Sequence, residues 1–268
     1  MARVIVTGAA GTIGRLLCPA LRGDGHEVLG LDVAEGEGVH RADLSAWDPA
    51  LPDLFRGADA LAHLAAEAWP EAPWSRVAPL NLDMALNAFQ AASLAGVPRV
   101  VFASTNWVLA GHRFDGEPLR SDTVPAPMNP YGASKLFGER LGLSFAEARG
   151  LSVVCLRIGA AQPEPRAPGP DTPMGDWARQ MWLSPRDLLQ GFRRALAAPL
   201  ALRFAVLNLV SNNPGMRWDL QEARDAIGYV PEDSFEPPPG GFRRTEATAR
   251  AVWEARERLD RLFHDEEM

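Results

Sequence analysis

A chain of 268 residues, 47% of them hydrophobic, can bury a substantial core as one large domain or one and a half. A net charge of −7 and a pI near 5.3 argue against a nucleic-acid footprint, and no apolar run approaches the length of a membrane span. The two cysteines, Cys18 and Cys155, sit in apolar elements and read as reduced core thiols, while the five histidines are scattered without ligand-like spacing, so no metal site is expected.

In chain order, Arg3-Val4-Ile5-Val6 is a short strand that begins almost at Met1, which leaves no room for a signal peptide and suggests a cytoplasmic protein. Thr7-Gly8-Ala9-Ala10-Gly11-Thr12-Ile13-Gly14 follows at once, and then Leu16, Leu17 and Leu21 at helical spacing. A glycine turn between strand and helix lets the backbone approach a pyrophosphate, which the free N–H groups and dipole of the helix N-terminus attract. The spacing G-x-x-G-x-x-G departs from the dinucleotide fingerprint G-x-G-x-x-G, so context must carry it. Glu27–Asp32 reads as the second strand, and Asp32 closes it where a carboxylate would accept hydrogen bonds from ribose hydroxyls and repel a 2′-phosphate. Val33, Ala34 and Glu35 supply no arginine for such a phosphate, so NAD is favoured over NADP.

Residues 59–64 read as a buried strand, 80–94 as a helix, 97–103 as a strand, 133–148 as a helix and 151–158 as a strand. Ser184-Pro185 starts a further helix with a capping serine and an early proline, and 204–210 returns as a strand. Strands alternating with helices imply an α/β, doubly wound parallel sheet (Rossmann), with ligands at the carboxyl ends of its strands. Proline and glycine crowd into 161–176 and 235–241. The first reads as a loop or lid over the substrate, the second as a break before an amphipathic C-terminal helix at 243–263. The expected organisation is an NAD-binding domain over 1–160, rejoined by 185–210, with a small substrate-binding lobe from 161–184 and 211–240 and a C-terminal helix over 241–268.

Tyr131 and Lys135 lie four residues apart on a predicted helix, hence on one face, so the ammonium can approach the phenol. A phenol ionises near pH ~10, and bringing it to about 7 takes roughly 4 kcal/mol, which the lysine and a cationic cofactor ring would supply.

With glycine turn, Asp32 and Tyr131/Lys135 in this order, residues 2–235 resemble the extended short-chain dehydrogenase/reductase superfamily, also described as NAD-dependent epimerases and dehydratases. Phe102-Ala103-Ser104-Thr105-Asn106, Arg157-Ile158-Gly159 with Pro163-Glu164-Pro165, and Trp182-Leu183-Ser184 are similar to stretches of uronate dehydrogenases. The resemblance implies an NAD-dependent oxidoreductase moving hydride between NAD and a sugar or other small alcohol or carbonyl compound, with C1 oxidation of a uronate to a lactone as one case. It implies Thr105, Tyr131 and Lys135 as catalytic residues, with Ser104 the rival hydroxyl. It implies a cofactor site of Gly8, Gly11, Thr12, Ile13, Gly14, Asp32, Asp43, Leu44, Leu64, Ala65, Ala66, Asn81, Ala103, Tyr131, Lys135 and Ile158. Asn106 would touch a sugar hydroxyl, Ala68, Trp107 and Ala160 stand where polar sugar contacts are usual, and Arg166 or Arg179 would hold a carboxylate. Trp69, Trp74, Trp107, Trp177 and Trp182 all fall near the predicted mouth, where aromatic faces stack on sugars or shape an apolar pocket. A sugar-nucleotide epimerase or dehydratase, a reductase of a less polar aldehyde or ketone, and an NAD-sensing protein are the competing functions. The resemblance also suggests a homo-oligomer.

Overall fold

The computed structural model describes residues 1–161 and 175–236, with 248, 250, 251, 254 and 255. The lid at 161–176 and the C-terminal helix therefore lie mostly outside the described residues, and Arg166 lies wholly outside them.

In chain order the elements are β1 (Arg3–Thr7), α1 (Gly14–Gly23), β2 (Glu27–Asp32), β3 (Val39–Arg41), α2 (Leu51–Phe55), β4 (Ala60–His63), α3 (Trp74–Val77) and α4 (Met84–Ala95). There follow β5 (Arg99–Thr105), α5 (Pro130–Arg149), β6 (Ser152–Ile158), β7 (Ala160–Ala161), α6 (Gly175–Gln180), β8 (Trp182–Leu183), α7 (Pro185–Ala197), β9 (Phe204–Leu209) and α8 (Gln221–Ile227). Seven strands form one parallel sheet in the order β3-β2-β1-β4-β5-β6-β9, and β7 and β8 pair separately. The direction of winding reverses between β1 and β4, which opens a crevice at the carboxyl ends of those strands.

Helices on both faces bury the sheet, so its strands read as continuous apolar runs: every residue of β5 and β6 is buried. The period of two still sorts side chains, with Val4 and Val6 joining Leu17 and Phe192 on one face and Ile5 joining Phe89 and Phe102 on the other. The predicted strands recur within two residues at each end. The predicted helix over 80–94 opens instead as a π-helical segment, Ala78–Asp83, before α4. Sequence reasoning did not single out β3, α2, the 3-10 segment Asn106–Phe114 or the β7–β8 pair, because each is too short or too exposed to show a period.

Helix α5 begins at an Asn129 cap, whose Oδ1 accepts from the Gly132 N–H at 2.7 Å, and Pro130 occupies its first turn. Gly138 lets it lie almost on the sheet, since a Cβ there would meet the Phe102 ring at 2.2 Å. Beneath it, the buried Glu139 carboxylate accepts two bonds from Arg157 of β6, both 2.9 Å, and one from Ser104 of β5 at 2.6 Å. Three elements are thereby held to one carboxylate. Removing one partner of a buried ion pair leaves an uncompensated charge, so Arg157→Leu is expected to lower the unfolding free energy by about 3–5 kcal/mol. Urea-induced unfolding measures it, and a loss below about 1 kcal/mol would contradict this account.

Candidate active site

A cleft of about 870 Å³ runs along the carboxyl ends of β1, β2, β4, β5 and β6. That is the size of a small-molecule site. Its first stretch is built from the glycine turn. Gly8 has φ +71°, and a Cβ on Gly14 would meet the Gly8 carbonyl oxygen at 2.2 Å and the Ala9 Cα at 2.6 Å, so the turn closes only with hydrogen at that position. At the tip of β2, Asp32 accepts from the Ala10 N–H and the Ala34 N–H, each at 3.0 Å. A carboxylate has about four acceptor sites, so capacity remains on the cleft side for a pair of hydroxyls.

Further along, the end of β5 and the start of α5 bring Thr105, Tyr131 and Lys135 to one wall. The Thr105 hydroxyl lies close enough to the Tyr131 phenol to lower its pKa and accepts from the Trp107 N–H at 3.3 Å, while Ser104 is committed to Glu139. The hydroxyl beside the tyrosine is therefore that of Thr105. Lys135 is buried, with Nζ 5.0 Å from the Phe102 ring centre and 5.8 Å from that of Tyr131. Burial pushes its pKa down to about 7 and that of Tyr131 up to about 12, the Thr105 hydroxyl pulling the latter partly back. Without the cationic cofactor ring that the expected depression also calls for, loss of hydration is the largest influence on both groups. Behind them His63 stacks on Phe102 and pairs with the Thr7 hydroxyl at 2.8 Å; burial and the nearby lysine lower its pKa to about 3, so it stays neutral.

Residues 4–163 match the family described as NAD dependent epimerase/dehydratase. The chain belongs to that family. It is an NAD-dependent enzyme of the kind the sequence resemblance implied, and the glycine turn with Asp32 at its mouth fits the dinucleotide. It is 38% identical to the L-arabinose 1-dehydrogenase (NAD(P)(+)) of Haloferax volcanii over 249 residues, 87% of this chain and 98% of that protein. It is 32% identical to the uronate dehydrogenase of Pseudomonas syringae pv. tomato over 243 residues, covering 87% and 83%. The crystal structure of uronate dehydrogenase from Agrobacterium tumefaciens superposes with a TM-score of 0.74 at 27% identity, over 89% of this chain and 91% of that one.

Against this family frame, most of the expected residues line the cleft: Gly8, Gly11, Thr12, Ile13, Gly14, Asp32, Leu44, Leu64, Ala65, Ala66, Ala103 and Ile158, together with Ala68, Thr105, Asn106, Trp107, Tyr131, Lys135 and Ala160. Three do not. The Asp43 carboxylate turns back to Ser45, whose hydroxyl and whose N–H at 2.8 Å hold its pKa below the usual range. Asn81 bonds the Glu67 backbone and the Ser134 hydroxyl, bracing the wall from behind. Arg179 is buried against Asp176 at 2.6 Å and the Pro214 carbonyl at 2.6 Å, so its guanidinium is already engaged away from the cleft. Among the tryptophans, Trp69 and Trp107 line the cleft; Trp74 is exposed elsewhere, and Trp177 and Trp182 are buried. Sequence reasoning missed Ala10, Val33, Ala34 and Met181 as lining residues, although the first three flank motifs it had found. Asp32→Ala is expected to reduce the preference for NAD over NADP at least tenfold in the ratio of dissociation constants, by removing both an acceptor and a repelling charge. Calorimetric titration with each nucleotide reads the ratio; an unchanged value would deny Asp32 its ribose role.

Proposed function

We propose that this chain oxidises the anomeric carbon of a neutral aldose to its lactone with NAD. The observation that carries the reading is Asn106. Its side chain is 1% exposed, lines the cleft beside Thr105 and Tyr131, and has neither amide atom hydrogen-bonded. A buried amide costs free energy until both ends are paired, and a sugar hydroxyl, donor and acceptor at once, suits both.

In this reading Thr105 and Tyr131 hold the C1 hydroxyl, and Tyr131 takes its proton as the C1–H bond breaks. Lys135 and Asp32 hold ribose hydroxyls, and the glycine turn faces the pyrophosphate. NAD, when bound, accepts the hydride. Tyr131 then passes its proton to solvent. The segments 161–184 and 211–240 belong to the substrate side, and a homo-oligomer and a cytoplasmic location are parts of the same reading. Among the described residues no helix is long and apolar enough to cross a membrane.

Two observations favour a neutral sugar over a uronate. Lys135 is the cation among the described residues lining the cleft, and it lies against the phenol; Arg179, a candidate carboxylate anchor, is taken by Asp176. The relative that acts on a pentose is also covered almost end to end. Arg166, outside the described residues, keeps the uronate reading as the alternative, supported by the dehydrogenases that name that substrate.

NADH formation with arabinose, glucose, galactose, glucuronate, galacturonate and simple secondary alcohols tests the reading. Turnover on the neutral aldoses is expected, and activity confined to uronates or alcohols would replace it. Tyr131→Phe should cut turnover by about a thousandfold while leaving NAD affinity within a few-fold, and substantial residual activity would remove Tyr131 from its role. Burial holds the phenol high, and a base works only when deprotonated. At subsaturating NAD, kcat/KM should therefore climb from about pH 7 to about pH 10; a flat or falling profile would contradict a tyrosine base.

A further inference from the structure

The loop between β4 and α3 carries a feature that the proton-transfer machinery does not use. Trp69 is 63% exposed yet lines the cleft with its neighbour Pro70. An indole left in water on an ordinary loop tip would be free to move, but the segment beneath this one is fastened at several points. The Trp69 backbone N–H donates to Glu67 Oε1 at 3.0 Å, and the Trp69 carbonyl accepts from the Ala72 N–H at 3.0 Å. Glu67 Oε2 pairs with Arg76 of α3 at 2.5 Å, and that carboxylate is itself largely buried, 13% exposed. The Glu67 N–H donates to Asn81 Oδ1 at 2.8 Å, and its carbonyl accepts from Asn81 Nδ2 at 3.1 Å. The same Nδ2 donates to Ser134 Oγ at 2.8 Å, which donates on to the Tyr131 carbonyl at 2.7 Å. The backbone that carries the ring is therefore tied, through Glu67, Asn81 and Ser134, to the turn that carries the phenol.

We infer that Trp69 is the residue on which the sugar ring stacks, seated for that purpose by Glu67; the inference rests on the aldose reading of the same cleft. The hydroxyl-binding groups Thr105, Asn106 and Tyr131 gather on one wall, while Ala68, Ala160, Ala161 and Met181 are too small or too apolar to bond the rest of a sugar. A pyranose presents C–H groups on at least one face, and the exposed indole of Trp69 offers a broad apolar face to cover them. Seating the loop beforehand means that its ordering entropy is not charged to binding. Glu67 acts through Trp69 and is a positioning residue.

The test is steady-state kinetics on the full chain with the best aldose, together with NAD affinity by calorimetry. Trp69→Ala should raise KM for the aldose about tenfold, the scale of one good aromatic contact, with a much smaller change in kcat and in NAD affinity. Trp69→Phe should recover most of the loss. Glu67→Ala should raise KM likewise, and Glu67→Gln, which keeps an oxygen for the Trp69 N–H, should recover it. Added to Trp69→Ala, Glu67→Ala should cost no further KM, because both act through one contact. An unchanged KM in Trp69→Ala with active wild type overturns the stacking alone, and full additivity of the two changes overturns the role of Glu67. A wild-type protein that binds NAD but oxidises no aldose overturns the stacking together with the function beneath it.

Discussion

The buried carboxylate of Glu139 is the contact on which the reactive wall depends. It sits one turn beyond Lys135 and two beyond Tyr131 on the same face of α5, and it takes bonds from Ser104, next to Thr105, and from Arg157, next to Ile158. Replacing a buried ion pair wholesale with apolar groups is often neutral or stabilising, so stability does not explain this one. Its consequence is positional: a bidentate guanidinium and a short hydroxyl bond permit few relative placements of helix and strands. Thr105 and Tyr131 come from different elements, and a misplacement of about 1 Å costs an active site orders of magnitude. The glycines at 138 and 142 serve the same end, since larger residues would lift α5 off the sheet and carry the phenol away from its threonine.

That close packing sets the electrostatics as well. Lys135 and His63 are buried and Tyr131 is half-buried at the cleft wall, and in each the neutral form gains: the phenol rises to about 12, the amine falls to about 7 and the imidazole to about 3. The wall is thus built to carry little charge of its own, and Lys135 meets ring faces where a carboxylate would have held it permanently charged. A site poised in this way responds to a change in charge at the cleft more strongly than one already saturated by an internal ion pair, because the low effective dielectric amplifies what arrives.

Much of this arrangement was legible in the sequence because it depends on backbone. Glycine spacing, the acid at the end of β2 and the tyrosine–lysine interval are local patterns, and each residue they singled out lines the cleft. What could not be read is which way side chains turn once the chain is folded. Asp43 and Asn81 have the right chemistry for a cofactor contact, but Asp43 turns toward Ser45 and Asn81 toward the Glu67 backbone, and neither lines the cleft. Arg179 was a reasonable carboxylate anchor until Asp176, three residues earlier on the same short helix, engaged it. The tyrosine's pKa illustrates a related limit: helical spacing shows that a lysine is near, but not how much hydration folding takes from the two groups.

The tryptophans make the same point about function. Five indoles near one predicted mouth were equivalent in the sequence, and packing divides them. Trp177 tilts against Trp218 at 4.6 Å and Trp182 lies near Phe235 at 5.9 Å, both as core, whereas Trp69 and Trp107 face the cleft. The family's fold supports several chemistries on one cofactor scaffold, so the substrate is decided at the edge of the site by the groups that scaffold does not dictate. Among the described residues lining this cleft, the polar groups of Thr105, Asn106 and Tyr131 gather on one wall, and alanine, methionine and indole line it nearby. Polar groups discriminate strongly because a mismatch strands them unpaired, while apolar walls discriminate weakly, by shape. On the proposed aldose reading, a cleft divided in this way would demand a hydroxyl at the reacting carbon and its neighbourhood, and would tolerate variation at the far end of the ring.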